Sequence, residues 1–225
     1  MGIKKTIPFL SVFLIFFIGV FISYRLLDLP KKLKIFNPSD VSPELVDSSI
    51  RTIPRNHHIA DFELINQDGK IISQKDFTGK IYVAEFFFTT CRTICPKMNS
   101  LLQKVNEKFK EDDRVMFLSH TVMPERDSVP VLADYAKRFG ADSKKWMFVT
   151  GEKKKIYELA RKSYFAVKLE ENFIKGGLPG DEKDFIHTEN FVLVDKNKRI
   201  RGFYDGTSEK DIDRLIQEIQ ILLLE

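Results

Sequence analysis

Sulfur nucleophiles are scarce in this chain: two cysteines among 225 residues, Cys91 and Cys95. Any thiol, disulfide or soft-metal chemistry is therefore confined to one place. Histidine is nearly as sparse, with four residues at 57, 58, 120 and 187. The formal net charge is only +4 and is spread along the chain, with no basic stripe interleaved with aromatics. Nucleic-acid binding has no electrostatic footprint here. No internal repeat is visible. The remaining composition, 43% hydrophobic and 30% charged, is that of a globular chain long enough for one sizeable domain and additions to it.

The N-terminus lacks charge. After Lys4 and Lys5, nothing ionisable interrupts Ile7 to Tyr24, and extension to Leu27 crosses only Arg25, which can snorkel to an interface. About 18–20 such residues span a bilayer as a helix. A cleavable signal peptide would want small residues before its cleavage site. The segment ends instead in Phe21, Ile22, Ser23, Tyr24, Arg25 and Leu26, and no lipid-accepting cysteine follows. Residues 1–27 are expected to be an uncleaved membrane anchor. Lys4 and Lys5 are nearly balanced by Arg25, Lys31, Lys32 and Lys34 beyond the span. A short basic N-terminus ordinarily stays cytoplasmic, so the rest of the chain is expected outside the cytoplasm, on the periplasmic side of the inner membrane in a bacterium.

Residues 28–53 mix Pro30, Pro38 and Pro43 with charges and isolated aliphatics, without sustained periodicity. They read as a stalk or loosely packed arm, with the domain over 54–225. Within the domain, strands and helices alternate. Asp68-Gly69 sits between two short strand-like runs, and Ile81 to Phe88 has the length of a buried strand. Pro96 suits the first turn of a helix that carries Met98, Leu101, Leu102, Val105 and Phe109 inward. Val115 to Val122 reads as a strand, and Asp127-Ser128 as the cap of the next helix. A strand W-M-F-V-T, a helix from Lys153, a short strand near Phe165 and a polar excursion from Glu170 to Asp184 follow. The chain closes with F-V-L-V-D, a turn, R-I-R-G-F-Y and a C-terminal helix. The expected fold is an α/β, thioredoxin-like sandwich with a central mixed sheet.

Ligands in such folds sit beyond the carboxyl ends of the strands, where Cys91 and Cys95 fall. If the pair began a helix, residues four apart would share a face, with Cβ atoms about 5–6 Å apart. A relaxed disulfide wants about 3.5–4.5 Å, so a regular turn favours gripping an ion, while a looped segment still permits oxidation. A helix N-terminus, with Arg92 and Lys97 nearby, lowers thiol pKa values. His187, ahead of F-V-L-V-D, is the third candidate. Two thiolates and an imidazole suit Cu(I) or Cu(II), and Zn²⁺ can use the same groups. His57 and His58 read as solvated linker residues, and His120 as a hydrogen-bonded strand histidine.

C-R-T-I-C-P resembles the Cys-x-x-x-Cys-Pro motif of the Sco/SenC proteins, thioredoxin-like copper proteins of cytochrome c oxidase assembly. The likeness continues through Met123 to Ala141, Trp146 to Gly151 and the isolated His187 before F-V-L-V-D-K. It implies that Cys91, Cys95 and His187 are copper ligands and that the two cysteines form a redox-active dithiol. It further implies a partner in cytochrome c oxidase subunit II or another cuproprotein. One departure stands out: the family commonly has V-D-P-E-R-D where this chain has V-M-P-E-R-D, so Met123 replaces an acidic residue. Met123 is either a thioether near Cu(I) or, as preferred here, a core filler.

Three functions compete. The leading one is a membrane-anchored metallochaperone that passes copper to the binuclear site of oxidase subunit II or reduces the cysteines of that site. The second is a metal-independent thiol–disulfide oxidoreductase, which would normally carry C-x-x-C and a proline facing it; no proline occurs after Pro179. The third is a peroxide-reducing enzyme, which would need one cysteine and leave His187 without a task.

Overall fold

The computed structural model describes residues 7–27, 32–53, 55–168, 186–187 and 189–225. They fall into two units, the N-terminal helix through Lys32 and the body from Leu33 to Leu223 with Glu225.

In the first unit, Ile7–Leu27 forms the 21-residue helix α1. Its side chains are described over 11–23, where Phe13, Leu14, Ile15, Phe16, Phe17 and Phe21 are all more than half exposed. Among the described residues, no helix is long and apolar enough to cross a membrane, so the expected span is not seen as such.

The body is built on a seven-stranded mixed sheet in the order β2-β1-β5-β4-β3-β8-β9. Its centre is parallel: β3 (Ile81–Phe87), β4 (Val115–Thr121) and β5 (Trp146–Thr150) are buried along their whole length. That is why their sequences are continuous apolar runs rather than alternations. Antiparallel strands flank the centre: β1 (Glu63–Asn66) and β2 (Ile71–Ser73) on one side, β8 (Asn190–Val194) and β9 (Ile200–Asp205) on the other. The β1–β2 turn needs Gly69, whose φ is +74°.

The faces of the sheet carry different cover. Helices α2 (Ile94–Lys108), α3 (Val129–Arg138) and α5 (Glu209–Leu224) pack Met98, Leu102, Val105, Leu132, Leu215 and Ile219 against Val83, Phe87 and Phe148. Helix α4 (Lys153–Glu158), the π-helical turn Leu159–Ser163 and the segment before β1 cover Tyr82, Ala84 and Phe86 on the other face. A separate two-stranded ribbon pairs β6 (Val167–Lys168) with β7 (Ile186–His187), His187 opposite Val167. The polar excursion expected at 170–184 lies outside the described residues.

Two expectations are corrected. Residues 33–53, read as a stalk or loosely packed arm, are packed on the body: Val46 is buried, Phe36 bridges Ile200, and Asp47 pairs with Arg161 at 2.7 Å. The buried Arg201 fixes this arm, donating to the carbonyls of Leu33 and Lys34 while pairing with Asp195 and, through two bonds, with Glu225. Isolated aliphatics without periodicity concealed this, because an irregular arm buries single side chains rather than a face. His57, read as solvated, is also buried: its Nε2 lies 2.8 Å from the Ser163 carbonyl, and its ring packs on Phe165.

Candidate metal centre

β3 ends at Phe87 and α2 begins at Ile94. The six residues between them carry Cys91, and the second position of the helix carries Cys95. Cys91 is thus not one helical turn below Cys95 but in the loop that leads into it. Its sulfur accepts the Cys95 backbone N–H at 3.3 Å, doing for one of the unpaired N–H groups of the helix start what a Ser or Asp cap normally does. Thr93, at the N-cap position, makes no such bond. Of the two geometries the spacing left open, a regular turn and a looped segment, the structure has the loop. Both thiols are free, Cys91 partly exposed and Cys95 fully buried.

The two sulfurs are electrostatically unlike. Burial acts to raise the Cys91 thiol, but hydrogen bonds from the Cys95 backbone and thiol, and from the backbones of Thr93 and Ile94, outweigh it and hold it below the ordinary range. Burial pushes the Cys95 thiol far up; a backbone hydrogen bond from Phe88 opposes this, while Cys91 and Glu85 reinforce it. The sequence reading expected both thiols to be lowered. The helix terminus reaches the outer sulfur, and desolvation governs the inner one.

The loop is held from the side by Asp127, which is wholly buried. Its carboxylate accepts the Thr89 backbone N–H at 3.2 Å and the hydroxyls of Thr89 and Thr121. The expected cap of α3 is therefore Ser128 alone in position, without a side-chain bond, while Asp127 turns inward. Met123 lies in the same turn and packs partly buried against the sheet core, as a core filler does.

Behind Cys95 lies a buried polar group that the sequence reading passed over. Glu85 accepts from Ser119 Oγ at 2.6 Å, and Ser119 also accepts from Trp146 Nε1 at 2.8 Å. The second Glu85 oxygen has no partner among the described residues. Burial raises the Glu85 carboxyl to about 7, against a lowering by Ser119. One acid within the apolar run Ile81 to Phe88 was the available signal. On the opposite face, His120 stacks on Phe86 at 4.7 Å, and its Nδ1 lies 3.2 Å from the Glu85 carbonyl. It is a core histidine, pushed down to about 4 by burial, and the sheet separates its ring from Cys95.

His187 has a described backbone position, on β7, and its ring lies outside the described residues. Among those described, no group of three or more His, Cys, Asp and Glu is arranged to hold a metal. Two soft sulfur donors side by side, the outer thiol held below its ordinary range by hydrogen bonds, nevertheless suit a thiophilic ion such as Cu(I), and an imidazole from β7 would complete a trigonal set.

Known proteins carry the same architecture. The SCO1/SenC family model matches residues 51–224. The SCO1 protein homolog of Bacillus subtilis is 31% identical over 169 residues, covering 74% of this chain and 83% of its own. The solved structure of BsSco, described as a member of the Sco family of cytochrome c oxidase assembly proteins with a disulfide switch, superposes with a TM-score of 0.61 at 28% identity, over 76% of this chain and 96% of that one. The ScoI structure from Arabidopsis thaliana, solved with copper bound, gives 0.54 at 26% identity, over 72% and 97%. With a family model spanning most of its length and a thioredoxin-like Sco fold, this chain belongs to the SCO1/SenC family.

Proposed function

We propose that the chain is a membrane-anchored copper chaperone of cytochrome c oxidase assembly. Cys91, Cys95 and His187 would hold one copper ion and pass it to the binuclear site of oxidase subunit II or to another cuproprotein. The observation that carries this reading is the pair of free cysteines at the carboxyl end of β3, joined by the Cys95 backbone N–H donated to Cys91 Sγ at 3.3 Å. The copper-bound ScoI of Arabidopsis thaliana supports the cargo, and BsSco supports the setting. Transfer is ligand exchange: a thiolate of the target displaces one chaperone ligand, and the copper keeps its electrons. The anchor in this reading rests on the sequence, the uncharged run from Ile7 to Tyr24 that α1 contains. Its exposed Phe and Ile side chains are compatible with contact to lipid, and the short basic N-terminus with Lys4 and Lys5 supports a body outside the cytoplasm.

The asymmetry of the thiols favours a second activity at the same site. Cys91, lowered and accessible, would attack a disulfide of the target. Cys95 would then attack the mixed disulfide, releasing the target's two thiols and leaving Cys91–Cys95 oxidised. The test is to reduce the detergent-solubilised full chain, titrate it with Cu(I) and Cu(II), and assay insulin reduction in parallel. One copper per chain, lost in Cys91→Ser and Cys95→Ser and weakened in His187→Ala, is expected. Copper binding indifferent to His187→Ala, together with insulin reduction at thioredoxin-like rates, would replace the chaperone reading with the oxidoreductase.

A further inference from the structure

The ribbon that bears His187 leaves the body through an unusual root. The helix after β5 loosens from α to π geometry over Leu159–Ser163, a change that withdraws carbonyls from the ordinary ladder. Two residues later Phe165 has φ +52° while fully buried. Left-handed backbone is rare for a bulky residue and persists only where the surroundings impose it. Ala166 then returns a backbone bond to the Ala160 carbonyl at 2.9 Å, and Val167 pairs with His187.

What imposes the conformation comes from the other end of the chain. The His57 ring packs on the Phe165 ring, centroids 4.6 Å apart, and its Nε2 sits 2.8 Å from the Ser163 carbonyl. A carbonyl can only accept, so Nε2 carries the hydrogen and the ring is the Nε2–H tautomer. Ala60 N–H adds a bond to Ser163 Oγ at 3.2 Å, and His57 N–H donates to Asn37 Oδ1 at 3.3 Å. One side chain thus holds the left-handed residue and the carbonyl two positions before it, and it is itself tied to the arm that begins at Leu33.

We infer that His57 is a positioning residue for His187: by latching Ser163 and Phe165 it sets the direction in which the β6–β7 ribbon leaves the body, and so where the imidazole arrives relative to the thiols. The inference rests on the ligand set proposed above. Released from His57, Phe165 is free to relax to negative φ, which turns the entry into β6 and, through the pairing of Val167 with His187, the strand that bears the imidazole.

The test uses the full-length chain and two readouts, hydrogen exchange at the Ala166 amide without metal and imidazole-nitrogen coupling in the electron spin resonance of the Cu(II) form. His57→Ala is expected to speed Ala166 exchange about tenfold or more, to abolish or scatter the nitrogen coupling and to weaken Cu(II) binding about tenfold. His57→Gln, which keeps a donor near the Ser163 carbonyl, is expected to restore most of both. Should His57→Ala fold poorly, Phe165→Gly, which removes the stack and tolerates either sign of φ, is expected to produce the same two changes. Wild-type exchange and coupling in His57→Ala, or in Phe165→Gly in its place, would overturn the inference alone, provided His187→Ala loses the coupling. If His187→Ala keeps it, the ligand set fails and the inference falls with it.

Discussion

Asp127 and Thr89 are joined twice, through the backbone N–H and the hydroxyl of Thr89, and the joint lies two residues before Cys91. It ties the loop that bears the outer sulfur to the turn after β4. Three donors on one buried carboxylate make this the firmest attachment of that loop. Hydrogen bonds to a charged group contribute about 1.5–3 kcal/mol each, and their loss leaves buried hydroxyls unpaired. Asp127→Ala is expected to cost about 3–5 kcal/mol in urea denaturation. Thr89→Val, which removes one of the three bonds, should cost about 1–2 kcal/mol. A cost below about 0.5 kcal/mol for Asp127→Ala would show that the joint does not hold the loop.

The thiols should report their difference directly. Cys91 is partly exposed and lowered by backbone donors, whereas Cys95 is buried and raised. Only thiolate reacts with an alkylating agent. Mass spectrometry after brief iodoacetamide treatment at pH 7 is expected to find Cys91 modified at least about tenfold faster than Cys95. Equal rates in the folded chain would contradict the assigned environments.

Glu85 makes the stability of the fold depend on pH. Its carboxyl is raised from 4.5 to about 7 by burial, so between those values the folded state holds a proton that the unfolded state has lost. Stability attributable to Glu85 is then complete below pH 4.5 and is lost as pH rises towards 7, by on the order of 3 kcal/mol. His120, lowered from 6.5 to about 4, acts in the opposite sense over much of that range and masks the slope in the wild type. The difference between Glu85→Gln and wild type isolates it. Relative to wild type, the variant is expected to gain stability steadily from pH 4.5 to 7 and then level off. A difference independent of pH would rule out the raised carboxyl.

Arg201 is the fastener of the arm. It is nearly inaccessible and pairs with the equally buried Asp195 and with Glu225. Removing one partner of a buried pair costs about 3–5 kcal/mol, because the other charge stays behind. Arg201→Met is expected to lose roughly that much and to expose residues 33–53 to limited proteolysis. An arm as resistant as in the wild type would mean that its other contacts, through Phe36, Asn37, Val46 and Asp47, suffice to hold it.

Most of the sheet was legible because its strands are buried on both faces and its helices on one: Ile81 to Phe88, Met98 to Phe109 and Ile212 to Leu222 each show the period that their packing requires. The motif Cys91–Cys95 was legible because soft donors are so few. What escaped was set by contacts distant in sequence. The arm at 33–53 has no period, since it docks through single residues such as Val46. Asp127 looked like a helix cap because Asp before Ser-Val-Pro suits one, and only the fold brings Thr89 within its reach. His57 and Phe165 are 108 positions apart, so no local pattern could announce their contact.

The coordination of bound copper tests the account most directly. X-ray absorption of the Cu(I)-loaded full chain, with Cys91→Ser, Cys95→Ser and His187→Ala beside it, counts the atoms around the metal. Two sulfurs and one nitrogen are expected in the wild type, no retained copper in either cysteine variant, and no imidazole scattering from the more weakly held copper of His187→Ala. A wild-type spectrum with fewer than two sulfurs, or imidazole scattering that survives His187→Ala, would contradict that ligand set.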